Sequence, residues 1–357
     1  MKLHRPISSD AALLLACCAL LCGSSSASHA ADAKAATPPC ASKGPPPGPA
    51  TQGRNLQGRN LQGRNLQGRN LQGRNLQGTQ PAVAVVQKLL VRGTPVAELR
   101  LQGTTLVGSV DGKTLTGADF IGATVVQEDI DGSPLQATIT NVQADPQDAS
   151  CEVLLYTLTA TNPETGKSED LCEPDQWGQR YATPVYGSWD STGAHIPSTS
   201  KFVFACTSGV IAKCIRWGYR PWKSVNGRSL ADYHQACTRM ARADYCGDGT
   251  SHTEDGTLID MYDALKIQQK SPLDPRSLLL FDAAWTPKGA YCVTKDRWLN
   301  LSKLASMAAC KAKFTKILPL IETSPINPLD ICLVKRGDVS RSEVLIDNQS
   351  GLNFKLK

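Results

Sequence analysis

Five aspartates and a histidine, residue types that bind metal ions, lie within twenty positions of this chain: Asp244, Asp248, His252, Asp255, Asp260 and Asp263. Carboxylate and imidazole groups at this density suit Ca²⁺ or a transition metal. However, Asp248-Gly249 and Asp255-Gly256 are ordinary turn dipeptides, and the spacing lacks the order of an EF-hand. Turns and caps are therefore the favoured interpretation. Asp248, His252 and Asp255 are the candidate metal ligands, and no cofactor is expected.

An aromatic cluster lies beside Arg216 and Arg220 before this stretch, in Trp217-Gly-Tyr219-Arg-Pro-Trp222. Flat aromatic rings beside arginine can stack on a ligand such as a sugar ring. The same composition is common where aromatic rings pack into a core and arginine stems lie along them. Core packing is favoured, with Trp217, Tyr219 and Trp222 as candidate stacking residues.

Cys214-Ile-Arg, with His195 upstream, superficially resembles the active site of exported cysteine transpeptidases. Those enzymes carry Ser/Thr-His-Gly before the cysteine, whereas Ile211-Ala-Lys stands there in this chain. No GxSxG motif of a serine hydrolase is present. An exported hydrolase or transpeptidase-like enzyme with its site in residues 206–263 is therefore the alternative hypothesis, and Cys206 offers Cys214 a disulfide partner.

Thirteen cysteines are present, and three of them lie in the first thirty residues. No CxxC pair occurs, and no Cys/His spacing matches a zinc finger. In an exported chain, an even set of cysteines favours structural disulfides. Whether Cys40 is paired, and which cysteines pair, stays open. The remaining disulfide candidates are Cys151, Cys172, Cys206, Cys214, Cys237, Cys246, Cys292, Cys310 and Cys332.

The first thirty residues have the pattern of a signal peptide. Lys2, His4 and Arg5 precede the apolar run Ala11–Cys22, and Ser28-His-Ala30 suits signal peptidase. No apolar run reaches the roughly 18 residues that a spanning helix needs. The sequence therefore predicts export to the periplasm, the outer surface or the medium. A lipoprotein anchored at Cys17 is the alternative, because Leu14-Leu-Ala-Cys17 resembles a lipobox.

A low-complexity region follows the signal peptide. Residues 31–52 are rich in Pro and Ala and predict an extended linker. Residues 53–78 repeat Arg-Asn-Leu-Gln-Gly five times and resemble pentapeptide repeats. Arginine occupies the position that points inward in such a coil, which favours a flexible basic tether. The tether could contact an anionic surface or a polysaccharide through five arginines: Arg54, Arg59, Arg64, Arg69 and Arg74.

The net charge of +6 comes from this tether and the first thirty residues, so the rest of the chain is neutral overall. Nucleic-acid binders spread basic residues over a folded face. A nucleic-acid partner is therefore not expected, and the sequence identifies no other specific partner.

Two periodicities indicate the secondary structure. Residues 82–145 contain short strand-like runs separated by turn signals and therefore predict short strands. Phe202–Cys206 predicts another strand. A helix is expected from Ser229, with Asp232 as a capping partner and a buried face that includes Tyr233, Cys237 and Met240. A second helix is expected from Asp296, with Ala308 inward, and strands return after residue 331. His234 beside that face is expected to be structural. The predicted class is α+β: a β-rich N-terminal part, a disulfide-rich helical segment and a short β tail.

The most distinctive stretch is residues 204–263, which we call the motif segment. It contains Ala243-Asp-Tyr-Cys246 and the surrounding Cys, Arg and Trp residues. This string resembles the ADYC-domain family, whose members are bacterial, exported and without an established activity. The resemblance covers roughly residues 95–300 and implies location and domain limits but no catalytic residue. The expected domain therefore spans residues 82–318, and residues 319–357 form a C-terminal extension.

These observations together predict an exported, disulfide-stabilised module with a binding or envelope-structural role. An enzyme is the less favoured hypothesis.

Overall fold

The structure is a computed structural model, and it describes residues 54–56, 85–128, 134–161, 166–175, 177–253, 257–272, 279–295, 297, 304–317 and 322–351. These residues belong to one compact unit, Pro38–Lys357. The helices in this part are α1 (Val210–Arg216), α2 (Ala231–Arg242) and α3 (Leu304–Ala312).

The described strands, in chain order, are β1 (Arg54–Leu56), β2 (Val86–Val91), β3 (Thr94–Pro95), β4 (Ala97–Gln102), β5 (Thr105–Val110), β6 (Lys113–Thr116), β7 (Thr124–Glu128), β8 (Pro134–Ala144), β9 (Leu154–Thr161), β10 (Ser168–Asp170), β11 (Ala182–Tyr186), β12 (Ser188–Trp189), β13 (His195–Ile196), β14 (Phe202–Cys206), β15 (Ser224–Val225), β16 (Arg228–Ser229), β17 (Leu258–Asp263), β18 (Leu279–Thr286), β19 (Gly289–Val293), β20 (Phe314–Lys316), β21 (Glu322–Thr323), β22 (Ile331–Cys332), β23 (Val334–Arg336) and β24 (Ile346–Gly351).

The first half of the chain forms an antiparallel sheet in the order β14-β11-β9-β8-β7-β2-β3, with β10 beside β9. Its residues alternate between faces as expected for strands: Tyr156, Leu158 and Ala160 of β9 are buried. The three-stranded sheet β4-β5-β6 shares an apolar core with it. The Tyr156 hydroxyl joins the two sheets, because it accepts from Leu106 N (3.1 Å) and donates to Thr104 O (3.2 Å).

The second half forms a seven-stranded antiparallel sheet in the order β1-β17-β24-β18-β19-β23-β20. Ile259 and Met261 of β17, with Trp285 of β18, share the core that contains α1 and α2. Phe281 and Ala284 belong to a separate apolar cluster. Strand β24, from the predicted C-terminal extension, lies between β17 and β18, so this late segment is central to the sheet.

The predicted α+β class with a disulfide-rich helical segment is wrong, because the structure is mostly β and its helices are short. Helical periodicity in the motif segment is real but ends at Arg242. Strands β17, β18 and β19 follow α2 and are almost wholly buried. Strands covered on both faces lack the apolar–polar alternation by which half-buried strands are recognised, so the sequence pattern missed them.

Helix α2 has the predicted buried face but not the predicted start. Leu230 is the residue before the first turn, and no side chain caps it, so Ser229 and Asp232 do not form a capping box. Tyr233, Cys237 and Met240 are buried as expected. The first described residue of α3 is Leu304, and Ala308 is exposed rather than inward. None of the helices in the described ranges is long and apolar enough to cross a membrane.

Four disulfides tie these elements together, and Cys151 is disulfide-bonded as well. Cys206 pairs with Cys172, so the expectation that it would pair with Cys214 is wrong. The four bonds hold strand to strand, α1 to α2 and the motif segment to α3: Cys172–Cys206, Cys214–Cys237, Cys246–Cys310 and Cys292–Cys332.

The signal peptide (residues 1–30), the linker (31–52) and most of the repeat tether (53–78) lie outside the described residues. Within the tether, strand β1 is described, and it pairs antiparallel with residues 258–260 of β17. Arg59, Arg64, Arg69 and Arg74 lie outside the described part.

Candidate functional site

The predicted stacking residues do not form an open platform. Tyr219 is fully buried, and its hydroxyl donates to Asp263 Oδ2 at 3.0 Å. Trp217 is buried in the same core, and Trp222 packs half-buried against it. Two of the three rings are therefore covered by the protein itself, which agrees with core packing and corrects the stacking hypothesis at these positions.

The structure describes two of the three candidate metal ligands, Asp248 and His252. Asp248 accepts a hydrogen bond from Thr250 N at 2.9 Å, as in an ordinary Asx turn. His252 is buried with its ring stacked on Tyr245, at a centroid distance of 6.1 Å, and Asp255 lies outside the described residues. In the described ranges, no group of three His, Cys, Asp or Glu side chains could hold a metal ion.

The suggested nucleophile has no thiol, because Cys214 is bonded to Cys237. A transpeptidase mechanism through Cys214 is therefore wrong. His195, its suggested partner, lies against Trp189 with ring centroids 4.6 Å apart, and burial lowers the pKa of this imidazole.

His234 is structural, as expected. Its Nε2 lies 3.0 Å from the carbonyl oxygen of Ile211, so the α2 helix is joined to α1 through this ring. Burial lowers the pKa of His234 to about 4, and the neutral ring donates to that carbonyl.

Each residue of the string 243–246 has an internal structural role. Ala243 ends α2 in the left-handed conformation, with φ of 52°. Asp244 pairs with Arg239 and accepts from the backbone N–H groups of Asp248 (3.1 Å) and Gly249 (3.0 Å). Cys246 forms the disulfide to α3.

Tyr245, the third residue of that string, anchors a second buried group of polar side chains. Its hydroxyl donates to Asp282 Oδ1 at 2.8 Å, and Asn348 Nδ2 donates to Asp282 Oδ2 at 2.9 Å. Arg297 pairs with the same carboxylate, and neither partner is exposed. Buried networks that join several strands in this way favour one arrangement of those strands. The chemistry of the motif segment thus serves the fold.

The loop from Glu173 to Tyr181, which we call the Trp177 loop, differs in that it presents an aromatic ring to solvent. Trp177 is 51% exposed, although large apolar side chains are mostly buried in this protein. It is the one aromatic residue among the large hydrophobic side chains that are exposed in the described part of the chain. Single exposed aromatic rings are typical anchors of binding surfaces.

A tight turn holds the backbone of this loop. Asp175 Oδ1 accepts from Trp177 N (2.9 Å) and Gln179 N (3.0 Å), and Asp175 N donates to Gln179 O at 2.8 Å. Gly178 supplies the positive φ of 76° within the turn. Beside it, Gln179 has a buried amide oxygen without a hydrogen-bond partner.

Arg216, at the end of α1, supports both the turn and the ring. Its Nε and Nη2 donate to Asp145 at 2.6 and 2.9 Å, and its Nη1 donates to Asp175 Oδ2 at 3.1 Å. The guanidinium carbon lies 5.0 Å from the centroid of the Trp177 ring. This cation–π contact covers one face of the ring and leaves the rest to solvent. The Cys172–Cys206 disulfide and the Arg180 bond to Cys172 O (3.1 Å) fix the ends of the loop.

Sequence reasoning missed Trp177, although a signal was present. The ring stands in Glu-Pro-Asp-Gln-Trp-Gly-Gln-Arg, where Pro, Asp and Gly mark a turn between a cysteine and a strand. A tryptophan at the tip of a turn has few neighbours to bury it. The partners Asp145 and Arg216 are distant in sequence and give no local signal.

Comparison with known proteins finds one family. The model of the ADYC domain matches residues 117–299, a range that includes the Trp177 loop and α2. No curated protein and no solved structure matches the chain.

Proposed function

This chain belongs to the ADYC domain family, and we propose that it is an exported bacterial binding module whose ligand contact is the Trp177 loop. The four disulfides support the export part of the proposal, because such bonds persist in oxidising compartments. The signal-peptide pattern of residues 1–30 supports it independently.

The observation that carries the binding role is the exposure of Trp177 on a loop held by buried charges. Arg216 and Asp175 are 3% and 0% exposed at their side chains, so the ring stands on a rigid base. Rigid aromatic residues bind well because little conformational entropy is lost on contact.

The surroundings of the ring favour an envelope glycan as the ligand. Arg180 within the Trp177 loop and Asp170 just before it form a partly exposed ion pair, so the sequence on both sides of the ring is polar. A sugar ring has the matching chemistry, with an apolar C–H face and a hydroxylated edge, whereas an apolar protein surface would need a larger patch. The repeat tether, with its arginines, would add contact to an anionic polysaccharide.

The test measures retention of the purified mature chain on peptidoglycan sacculi. We expect Trp177→Leu, which keeps an apolar cover over Arg216, to weaken binding about tenfold or more. Trp177→Tyr keeps an aromatic face and should retain most of the affinity.

Ile196→Ala is the matched control, because Ile196 is 49% exposed and lies on β13 rather than in the Trp177 loop. It should bind as the unsubstituted chain does. Equal binding by Trp177→Leu and Ile196→Ala, or no retention of the unsubstituted chain, would overturn the proposal.

A further inference from the structure

A lysine and an aspartate face each other between the segment after β17 and the turn before β22. Lys270 follows β17, and Asp330 ends the turn before β22. Lys270 Nζ lies 2.9 Å from Asp330 Oδ1, and Asp330 is 4% exposed at its side chain. The nitrogen also lies 4.9 Å from the centroid of the Tyr262 ring. The Lys270 amine is thus within hydrogen-bond distance of the carboxyl group that it would have to attack.

The other carboxyl oxygen of Asp330 receives two hydrogen bonds. The Tyr262 hydroxyl donates to Oδ2, and Asn327 Nδ2 donates to the same atom at 2.8 Å. Donors fixed on one oxygen stabilise the negative charge that this oxygen gains when the carboxyl carbon is attacked. Burial raises the pKa of Tyr262 well above its usual range, so the phenol remains a donor.

A second carboxyl group lies beside this pair and has no evident role in the fold. Asp347, on β24, is opposite Tyr262 in the strand pairing and is fully buried. Neither of its oxygens has a partner in normal hydrogen-bond geometry, although the Ser324 side chain lies close enough to lower its pKa. Burial nevertheless raises the pKa of Asp347 well above its usual range. The Asp330 carboxylate raises it further, whereas Ser324 and the positive charge of Lys270 lower it. A buried carboxyl with so little compensation is destabilising, which makes its presence informative.

We infer that Lys270 and Asp330 condense into an intramolecular isopeptide bond, with the buried carboxyl of Asp347 as the proton carrier. The Lys270 Nζ–Asp330 Cγ bond forms and the Cγ–Oδ1 bond breaks. Oδ1 leaves as water with two protons that come from the ammonium group, and Oδ2 remains as the amide oxygen. The reaction needs no oxidant, reductant or activated donor.

Two physical effects favour the amide. Groups held in one geometry reach effective molarities of about 10⁵–10⁸ M, which offsets the unfavourable loss of water in solution. Condensation also removes a charge pair from a site where Asp330 and Asp347 are desolvated. The product would join the segment after β17 to the turn before β22 by a covalent bond.

The test is the mass of the purified full chain after complete reduction of its disulfides. We expect a mass lower by one water than the mature sequence, and a branched tryptic peptide in which cleavage after Lys270 is blocked and the chain is linked to the peptide of Asp330. Lys270→Arg keeps the positive charge but lacks the amine, so it should abolish both signals.

Asp347→Asn keeps the Lys270–Asp330 ion pair and should slow or abolish the water loss. If Asp347 had a purely structural role, this substitution would leave the water loss unchanged. The pair Lys288–Glu343, at 2.6 Å, is the internal control and should yield no branched peptide, because it is 62% and 34% exposed. An unchanged mass with normal cleavage after Lys270 would overturn the inference. A water loss that persists in Lys270→Arg would do the same. The proposed binding function does not depend on either result.

Discussion

Two regions of this protein use arginine, aspartate and aromatic rings in opposite ways. In the motif segment, Arg239 and Asp244 pair inside the molecule and Tyr219 is covered on all sides. At the Trp177 loop, Arg216 of α1 and Asp175 of the loop are equally buried, but they support a ring that is half exposed. A segment rich in reactive residue types can therefore have a purely structural role, whereas a turn with few such residues can provide the surface that faces a ligand.

The largest effect should come from breaking the buried pair of the motif segment. Asp244→Ala leaves the Arg239 guanidinium buried without its counter-charge, so we expect a loss of about 3–5 kcal/mol in the free energy of unfolding. Urea unfolding of the oxidised protein measures it. Glu343→Ala removes the exposed partner of Lys288 and should cost about 0–1 kcal/mol. Equal losses in the two variants would show that the motif segment is not a structural centre.

The sequence predicted part of the fold but not the candidate site. The buried face of α2 was predictable, because Tyr233, Cys237 and Met240 recur at helical spacing. The fold class was not, because β18 and β19 are mostly covered on both faces and their sequences do not alternate between apolar and polar residues. The site was missed because Trp177 depends on Asp145 and Arg216, which tertiary structure alone brings together.

A smaller effect should appear on acidification, and it also belongs to the motif segment. The folded pKa of His234 is about 4 against an ordinary value of 6.5, so the unfolded chain binds more protons between these values. Stability is complete above pH 6.5 and is lost as the pH falls toward 4, by about 3 kcal/mol from this residue.

His234→Gln keeps a donor near the Ile211 carbonyl but does not titrate, so its stability should depend less on pH in this window. The control is His195→Gln, because that ring is only partly buried and should contribute a smaller slope. If His234→Gln kept the full slope of the unsubstituted chain, His234 would not be the group responsible.

Substitution of Trp177 should have the smallest effect on stability and the largest effect on binding. Hydroxyl-radical footprinting tests directly whether this ring is the contact surface. In the free protein, Trp177 should be oxidised, whereas Trp189 and Trp285 should not, since they are 1% and 0% exposed. With peptidoglycan sacculi bound, Trp177 should become protected while Ile196 stays as reactive as before. A protein that is retained on sacculi with Trp177 still fully oxidised would show that this loop is not the contact surface.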